Sequence, residues 1–378
     1  MIKAHPDLIV VGAGLTGLTI AERVAGELGK NVLIYETRGH IGGNAFSYFE
    51  PNSGIEIHKY GTHVFHTANE KVFEYVSGFT KLNNFEHVVL SNHKGTLYNF
   101  PINLNTLNSF FNLSMNENEA KTFLDSLKEF PQGRAENLED KAKQLVGSDL
   151  YESFIKGYSQ KQWQEDPKNL PSSIINRIPV RFNSDSRYFD TPHQGLPLNG
   201  YSAWFESMAA NKKITILLET DYFDIKKDIN PDIPIVYTGP IDRYFDYKHG
   251  LLGWRTLDFE HEVLPVDSFQ SAAVVNYPDL DVAFTRIHEF MKLYPERKTA
   301  EGTTHIMREY SRSAGREDDP FYPMNRSTDK EILLKYKNEK VGNTIFAGRL
   351  GSYKYMDMDV AIAAALTLYR NTIIPLLT

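Results

Sequence analysis

The stretch LIVVGAGLTGLTIAERVAGELGKNVLIYE, residues 8–36, leaves the front of this chain little architectural choice. Leu8 to Val11 form an unbroken apolar run, the pattern of a central parallel strand covered on both faces. Gly12, Gly14 and Gly17 follow in G-x-G-x-x-G spacing. The first allows a tight turn, the second lets backbone approach a pyrophosphate, and the third lets a helix close onto the strand. Leu15, Leu18, Ala21, Val24 and Leu28 recur at helical intervals, and Val32 to Tyr35 read as a second strand running into Glu36. That acid stands about 20 residues beyond the triplet, where the motif accepts ribose hydroxyls. Strand, glycines, helix, strand and acid in register specify a dinucleotide site.

The segments that follow select FAD over NAD. ETRGHIGGNAFSY sets Arg38 and the pair Gly42–Gly43 directly after Glu36, an extension found in flavoproteins of the glutathione-reductase type. NTIFAGRLGSYKYMDMDVAIAAALTLYRN, near the other end, reads as a strand Thr344–Ala347, a Gly-Arg turn and a helix beginning near Asp357. The N-terminus of that helix would direct free N–H groups and a positive dipole end at the flavin or its diphosphate. No second glycine fingerprint follows a strand, so no separate nicotinamide domain is expected. Either electrons arrive without one, or the flavin does not turn over electrons in each cycle.

Composition narrows the chemistry further. Cysteine is absent, which removes disulfides, thiolate catalysis and dithiol–flavin exchange. The 41 basic and 48 acidic side chains give a net charge of -7, with no basic stripe of the kind nucleic-acid binders carry. No apolar run reaches the eighteen or so residues of a membrane helix and the first residues do not follow signal-peptide order, so a cytoplasmic protein without membrane partners is expected. A chain of 378 residues with 41% hydrophobic content suits two or three packed units.

GIEIHKYGTHVFHT, residues 54–67, carries His58, His63 and His66. As metal ligands they would need a further partner, and Gly61 breaks any helix that could align them, so no metal site is expected. The readings left are a glycine-hinged loop holding a histidine against the cofactor and a buried structural histidine. From about Leu104 to Trp163 the pattern turns helical and ends with Phe154, Tyr158 and Trp163 on one face, which is either core or a stacking surface. QEDPKNLPSSIINRIPVRF follows, with Arg177 and Arg181 in R-x-P-x-R spacing. A mobile arginine-tipped loop beside aromatic rings suits a nucleotide-sugar site, where rings stack on uracil and guanidinium forks meet diphosphate.

Beyond Phe189 the runs HQGLPLNGYSAW, ITILLETDYF and IPIVYTGPID read as strands, the last returning to the nucleotide-binding sheet. GWRTLDFEHEVLP, SAAVVNYPDLDVAFTRIHEF and HIMREYSRS read as an antiparallel sheet with Arg286 inside one strand, ordinarily a solvated position. The expected fold is α/β. A Rossmann-like FAD-binding domain is assembled from residues 1–80, 190–245 and 335–378. A helical insertion spans 103–188 with a mobile substrate loop at 165–182, and an antiparallel sheet domain comprises 81–102 and 246–334.

Together GAGLTG, HIGGNAF, HKYGTHVFHT, YNFPINLNT, KGYSQKQW, RIPVRF, YTGPID, FTRIHEF, DDPFYP and GRLGSYKYMDMDVAIAAAL resemble one family, the UDP-galactopyranose mutases of bacterial type, in that family's order along nearly the whole chain. The resemblance implies an isomerase that interconverts UDP-galactopyranose and UDP-galactofuranose, with no net redox change, and supplies galactofuranose to cell-surface glycans. It implies FAD that must be reduced, by a reductant such as NAD(P)H, and whose N5 attacks the anomeric carbon to form a covalent adduct while UDP leaves. A homodimer is implied by analogy.

Residue by residue, the resemblance makes Phe154, Tyr158, Ser159 and Trp163 uridine and loop residues, and Arg177 and Arg286 the diphosphate ligands and catalytic cations. Ser159 stands where the family usually has threonine. Tyr188, Tyr322, Tyr355 and Asp357 match further sugar and diphosphate residues, with Tyr355 and Asp357 expected to position and not to transfer protons. His63 matches the loop histidine beside the flavin. The cofactor set comprises Gly12, Gly14, Leu15, Thr16, Gly17, Glu36, Thr37, Arg38, Gly43, Asn44, His63, Arg349 and Met358. One departure is Arg187, inserted before Tyr188 in FNSDSRYFD where the family commonly has an acidic pair, and it puts the local pocket charge in question. Two other readings share the FAD halves: a flavin oxidase or desaturase of the amine-oxidase type, and a non-catalytic flavin-binding protein. KGYSQKQW with RIPVRF favours the mutase over both.

Overall fold

A computed structural model describes residues 5–128, 135–175 and 179–378. Its front is a five-stranded parallel sheet in the order Thr344–Phe346, Ile235–Tyr237, Leu8–Val11, Val32–Tyr35, Ile214–Leu217. Ile9 pairs with Ile235 on one side and Leu33 on the other, so the apolar run after residue 7 is the central strand. Its period of two sorts side chains to opposite faces. Leu8, Val10, Ile34 and Val236 pack under the helices Leu15–Glu27 and Met358–Leu368, while Ile9, Leu33, Tyr35 and Tyr237 pack with Tyr222 on the other face.

A second, seven-stranded sheet runs Tyr322–Pro323, Trp254–Leu264, Thr304–Ser313, Arg286–Glu289, Val274–Asn276, Val89–His93, Thr96–Phe100. Its pairs are antiparallel except Val274–Asn276 with Val89–His93, which are parallel. The helical layer that packs against the second sheet starts its first three helices on asparagines. Asn103, Asn116 and Asn137 accept bonds from the first-turn amides of Leu104–Phe111, Glu117–Leu127 and Leu138–Leu150, and Glu119 completes a capping box with Asn116. Tyr151–Lys156 is a π-helical stretch leading into the α-helix Gly157–Trp163.

Four expectations need correction. NGYSAW belongs to a helix, Gly200–Ala209, whose buried Tyr201, Trp204, Phe205 and Met208 recur at helical spacing. The Gly-Arg turn is a short helix, Gly348–Ser352. Arg286 opens its strand and is not inside it. One helix, Met358–Leu377, is 20 residues long with mean hydropathy 1.5, enough by length and composition to cross a membrane. Here it covers the parallel sheet beside Leu15–Glu27, with Ile362, Ala365, Leu366, Tyr369 and Ile373 buried.

Candidate active site

A cavity of about 1040 Å³ runs from the glycine triplet to the second sheet, floored by the helical layer. At the triplet, a Cβ on Gly17 would stand 2.0 Å from the Gly12 carbonyl oxygen, so the helix lies on the turn as closely as backbone allows. A Cβ on Gly43 would come within 3.2 Å of the Gly14 Cα, and the two glycines leave a bare backbone groove. The helix Leu15–Glu27 has Gly14 at its N-cap, and Met358–Leu368 has Asp357, neither with a side-chain cap bond. Leu15, Thr16 and Met358 line the cavity, so two uncapped helix N-termini face the same space. Beside them Glu36, 6% exposed, accepts from the Ala13 amide at 2.7 Å and from the Arg38 amide at 2.9 Å. This groove fits the diphosphate and ribose of a dinucleotide cofactor.

Arg38 donates from both terminal nitrogens to Asn44 Oδ1 at 3.0 Å, pairs with Asp319 at 2.7 Å and lies over the Tyr60 ring at 4.4 Å. Thr37, Gly12 and Gly43 share the same wall. Gly17 is behind the wall, where it permits the packing just described. Arg349 lines the cavity and donates to the backbone carbonyls of Pro320 and Phe321; burial brings its guanidinium down to about 10. His63 stands on Gly61, whose φ is +92°, and its Nδ1 lies 2.8 Å from the Gly61 carbonyl. Burial, above all, lowers its pKa, so the ring is neutral near pH 7.

The far chamber is built around Arg286. Its guanidinium donates to the Tyr158 hydroxyl, lies 5.6 Å over that ring, and sets Nε 3.5 Å from Glu309 Oε1. Burial pushes the Glu309 carboxyl up, but Arg286 and hydrogen bonds from His288 and Thr285 outweigh it and hold it at about 2. His288, 1% exposed, links Glu309 at 3.2 Å to the Thr62 hydroxyl at 2.8 Å. Trp163, Tyr322 and Tyr355 follow one another along one wall, with ring centroids 6.5 and 6.1 Å apart, and the Tyr355 hydroxyl donates to Asp357 at 2.9 Å.

Tyr188 and Ser159 also face the cavity. Phe154 reaches it only at an edge, since its ring packs with Tyr98 and Phe110 in the helical core. Arg177 lies outside the described residues. Its motif partner Arg181 lines the cavity, donates its amide to the Ile102 carbonyl at 3.0 Å and its guanidinium to the Arg187 carbonyl. The described parts of 165–182 are packed: Leu170 and Ile175 are buried, with Val180 and Phe182 against them. Arg187 does not reach the cavity wall, because Asp185 takes its guanidinium at 3.0 and 2.9 Å.

Several wall residues escaped the sequence reading. Glu309 sits directly opposite Arg286 in the strand register, and His288 is two residues on, on the same face. Strand alternation from Arg286 was the signal that could have found His288, whereas Glu309 comes from another strand and carried none. Asn276, paired with Arg286 from another strand, and His87, on the loop before Val89–His93 and brought down to about 3 chiefly by burial, carry no local signal because only the tertiary fold brings them to the wall. Among the described residues no cluster could hold a metal ion.

The family model for UDP-galactopyranose mutase matches residues 153–355, more than half the chain, and one for an NAD(P)-binding Rossmann-like domain matches 10–79. A probable UDP-galactopyranose mutase of Klebsiella pneumoniae is 38% identical, over 96% of this chain and 93% of its own. The dTDP-fucopyranose mutase of Escherichia coli is 35% identical, over 95% and 96%. The crystal structure of a reduced UDP-galactopyranose mutase is similar in fold, with a TM-score of 0.72, 17% identity and coverage of 98% and 94%. The motifs of the cavity wall thus lie inside a family shared over nearly the full length, and the chain belongs to the UDP-galactopyranose mutase family.

Proposed function

We propose that this protein interconverts UDP-galactopyranose and UDP-galactofuranose with reduced FAD. One observation carries the reading: a single cavity joins the bare glycine groove to a chamber where Arg286 stands among Tyr158, Trp163, Tyr322 and Tyr355. A diphosphate seated on Arg286 sets the uracil against the Tyr158 and Trp163 side and points the sugar back toward His63 and the flavin end. Reduced flavin, when bound, supplies the nucleophile at the anomeric carbon through N5. The chain's own groups do the rest. Arg286, with Arg177 as its partner by resemblance, binds the diphosphate and stabilises its charge as the sugar bond breaks.

Glu309 holds the Arg286 fork in place, and the aromatic wall keeps water from the sugar. Tyr355 and Asp357 position the diphosphate. The neutral His63, fixed on the Gly61 carbonyl, contributes shape and a hydrogen bond and no charge. With no net redox change, one reduction serves many turnovers, which fits the lack of a second glycine fingerprint. We extend the reading to a cytoplasmic homodimer charged by a reductant such as NAD(P)H and supplying galactofuranose to surface glycans.

The test is conversion of UDP-galactofuranose, followed by chromatography, with the holoenzyme chemically reduced and left oxidised. UDP-galactopyranose forming only in the reduced sample, with no flavin oxidation per turnover, is the expected result. dTDP-fucose is run in parallel, because of the relative that bears that substrate's name. Preferential turnover of the dTDP sugar would move the assignment to it, and turnover of neither would overturn the reading.

A further inference from the structure

The hairpin that carries Arg286 is held open-mouthed by a cation from another layer. Its strands are Val274–Asn276 and Arg286–Glu289, and their last pair, Asn276 with Arg286, faces the substrate chamber. The loop between them turns four backbone carbonyls to a single point. Lys161 Nζ sits there, 2.5 Å from the Tyr277 oxygen, 2.8 Å from those of Asp279 and Val282, and 2.9 Å from that of Phe284. Lys161 belongs to the helix Gly157–Trp163, which presents Tyr158, Ser159 and Trp163 to the same chamber. The approach is tight elsewhere too, since a Cβ on Gly157 would stand 2.2 Å from the Pro278 oxygen.

We infer that Lys161 is a positioning residue: its ammonium is the resident monovalent cation of a carbonyl ring that fixes Arg286 relative to the uridine wall. An ammonium has three donors and no acceptor, so its charged form can serve four converging oxygens with one N–H shared, whereas the neutral amine would turn a lone pair toward them. Without a cation the four carbonyl dipoles repel one another in a partly dry site, and the loop swings its Asn276–Arg286 end away from Tyr158. The oxygen distances suit ammonium or potassium and are too long for magnesium, which needs about 2.0–2.1 Å. A truncated side chain therefore leaves a site for a free monovalent cation. Asp279 steadies the loop from its outer side through His93 at 2.6 Å and the Lys94 amide at 2.7 Å, so the loop keeps its shape while its tilt is released.

The inference rests on the functional reading above, and the test separates the two. UDP is titrated into FAD-loaded wild type, K161A and K161M, followed by tryptophan fluorescence, in choline, potassium and ammonium chloride at equal ionic strength. Wild type should bind alike in all three. K161A should bind UDP about 10- to 100-fold more weakly in choline, UDP-galactofuranose turnover by the same reduced samples should show KM rising more than kcat falls, and potassium or ammonium should restore most of the loss. K161M keeps the stem, fills the ring with a thioether, and should show the loss without the rescue. Wild-type affinity in either variant, or a loss in K161A that no cation reduces, would overturn the assignment. Should K161A fail to retain flavin, wild-type affinity in K161M alone would suffice to refute it. Failure of wild type to bind UDP in any buffer would overturn the functional reading and this inference with it.

Discussion

Arg286 shows how much one side chain depends on the company the fold gives it. In a strand it reads as a solvated cation, yet here it faces a cavity, donates to Tyr158 and sits opposite a carboxylate that is 2% exposed. Arg286→Ala removes the cation from both a diphosphate and Glu309. A charge-assisted hydrogen bond of this kind is worth about 1.5–3 kcal/mol, so UDP affinity should fall roughly 10- to 100-fold. Arg286→Lys should recover little of it, because a point charge cannot span Tyr158, Glu309 and a phosphate oxygen as a planar fork does. Isothermal titration with UDP decides this, and unchanged affinity in the alanine variant would remove Arg286 from the site. Asp357→Asn is the contrasting case. The residue stands at the N-cap position of a helix without making a side-chain cap bond, and its carboxylate accepts from Tyr355, a positioning arrangement, so kcat/KM should drop without a change in the shape of its pH profile.

Among the elements, those with strong period or fixed glycine spacing were legible before any coordinates. The strand Leu8–Val11, the helix after it and the helix starting at Met358 follow from apolar runs and the glycine triplet. The helix Gly200–Ala209 was misread because its Gly and Pro neighbours resemble strand punctuation, although Tyr201, Trp204, Phe205 and Met208 carry a helical stripe. The π-helical stretch Tyr151–Lys156 and the carbonyl ring around Lys161 had no local signature, since each is settled by what packs on it. Gly157 shows the same dependence. Its φ is ordinary, so the sequence gives no reason for glycine, but the Pro278 oxygen leaves no room for a Cβ. Gly157→Ala should lift the helix from the loop and lower stability by about 1–3 kcal/mol, the usual cost of overpacking. An unchanged denaturation midpoint would show that the loop yields freely, in which case it could not hold Arg286 either.

At the scale of the whole molecule the parallel sheet recruits strands from residues 8 to 346, and the cavity lies where three layers meet, so cofactor, substrate and stability are linked. One consequence concerns acid. His58, His63, His66, His87 and His288 all have pKa values lowered chiefly by burial, His87 to about 3, and His40 is likewise brought to about 4. In the unfolded chain each titrates near ~6.5. Below that pH the unfolded state takes up protons that the folded state refuses, and stability rises with pH wherever the unfolded state binds more protons. Stability should therefore begin to fall as pH drops below about 6.5 and continue falling toward the folded values. Glu309 acts in a lower window. As an acid held at about 2, it contributes its full stability above its unfolded value of ~4.3 and loses it progressively as pH falls from there to about 2. The two classes separate in an experiment on FAD-loaded protein, with urea midpoints measured in half-unit steps from pH 7.5 to 4. The expected profile declines from about 6.5, and His87→Asn should lessen its slope by up to the ~1.4 kcal/mol per pH unit that one proton can contribute. A profile flat to pH 5 would mean that these rings can be protonated in the folded state, and that the neutral histidine wall beside Arg286 does not exist in solution.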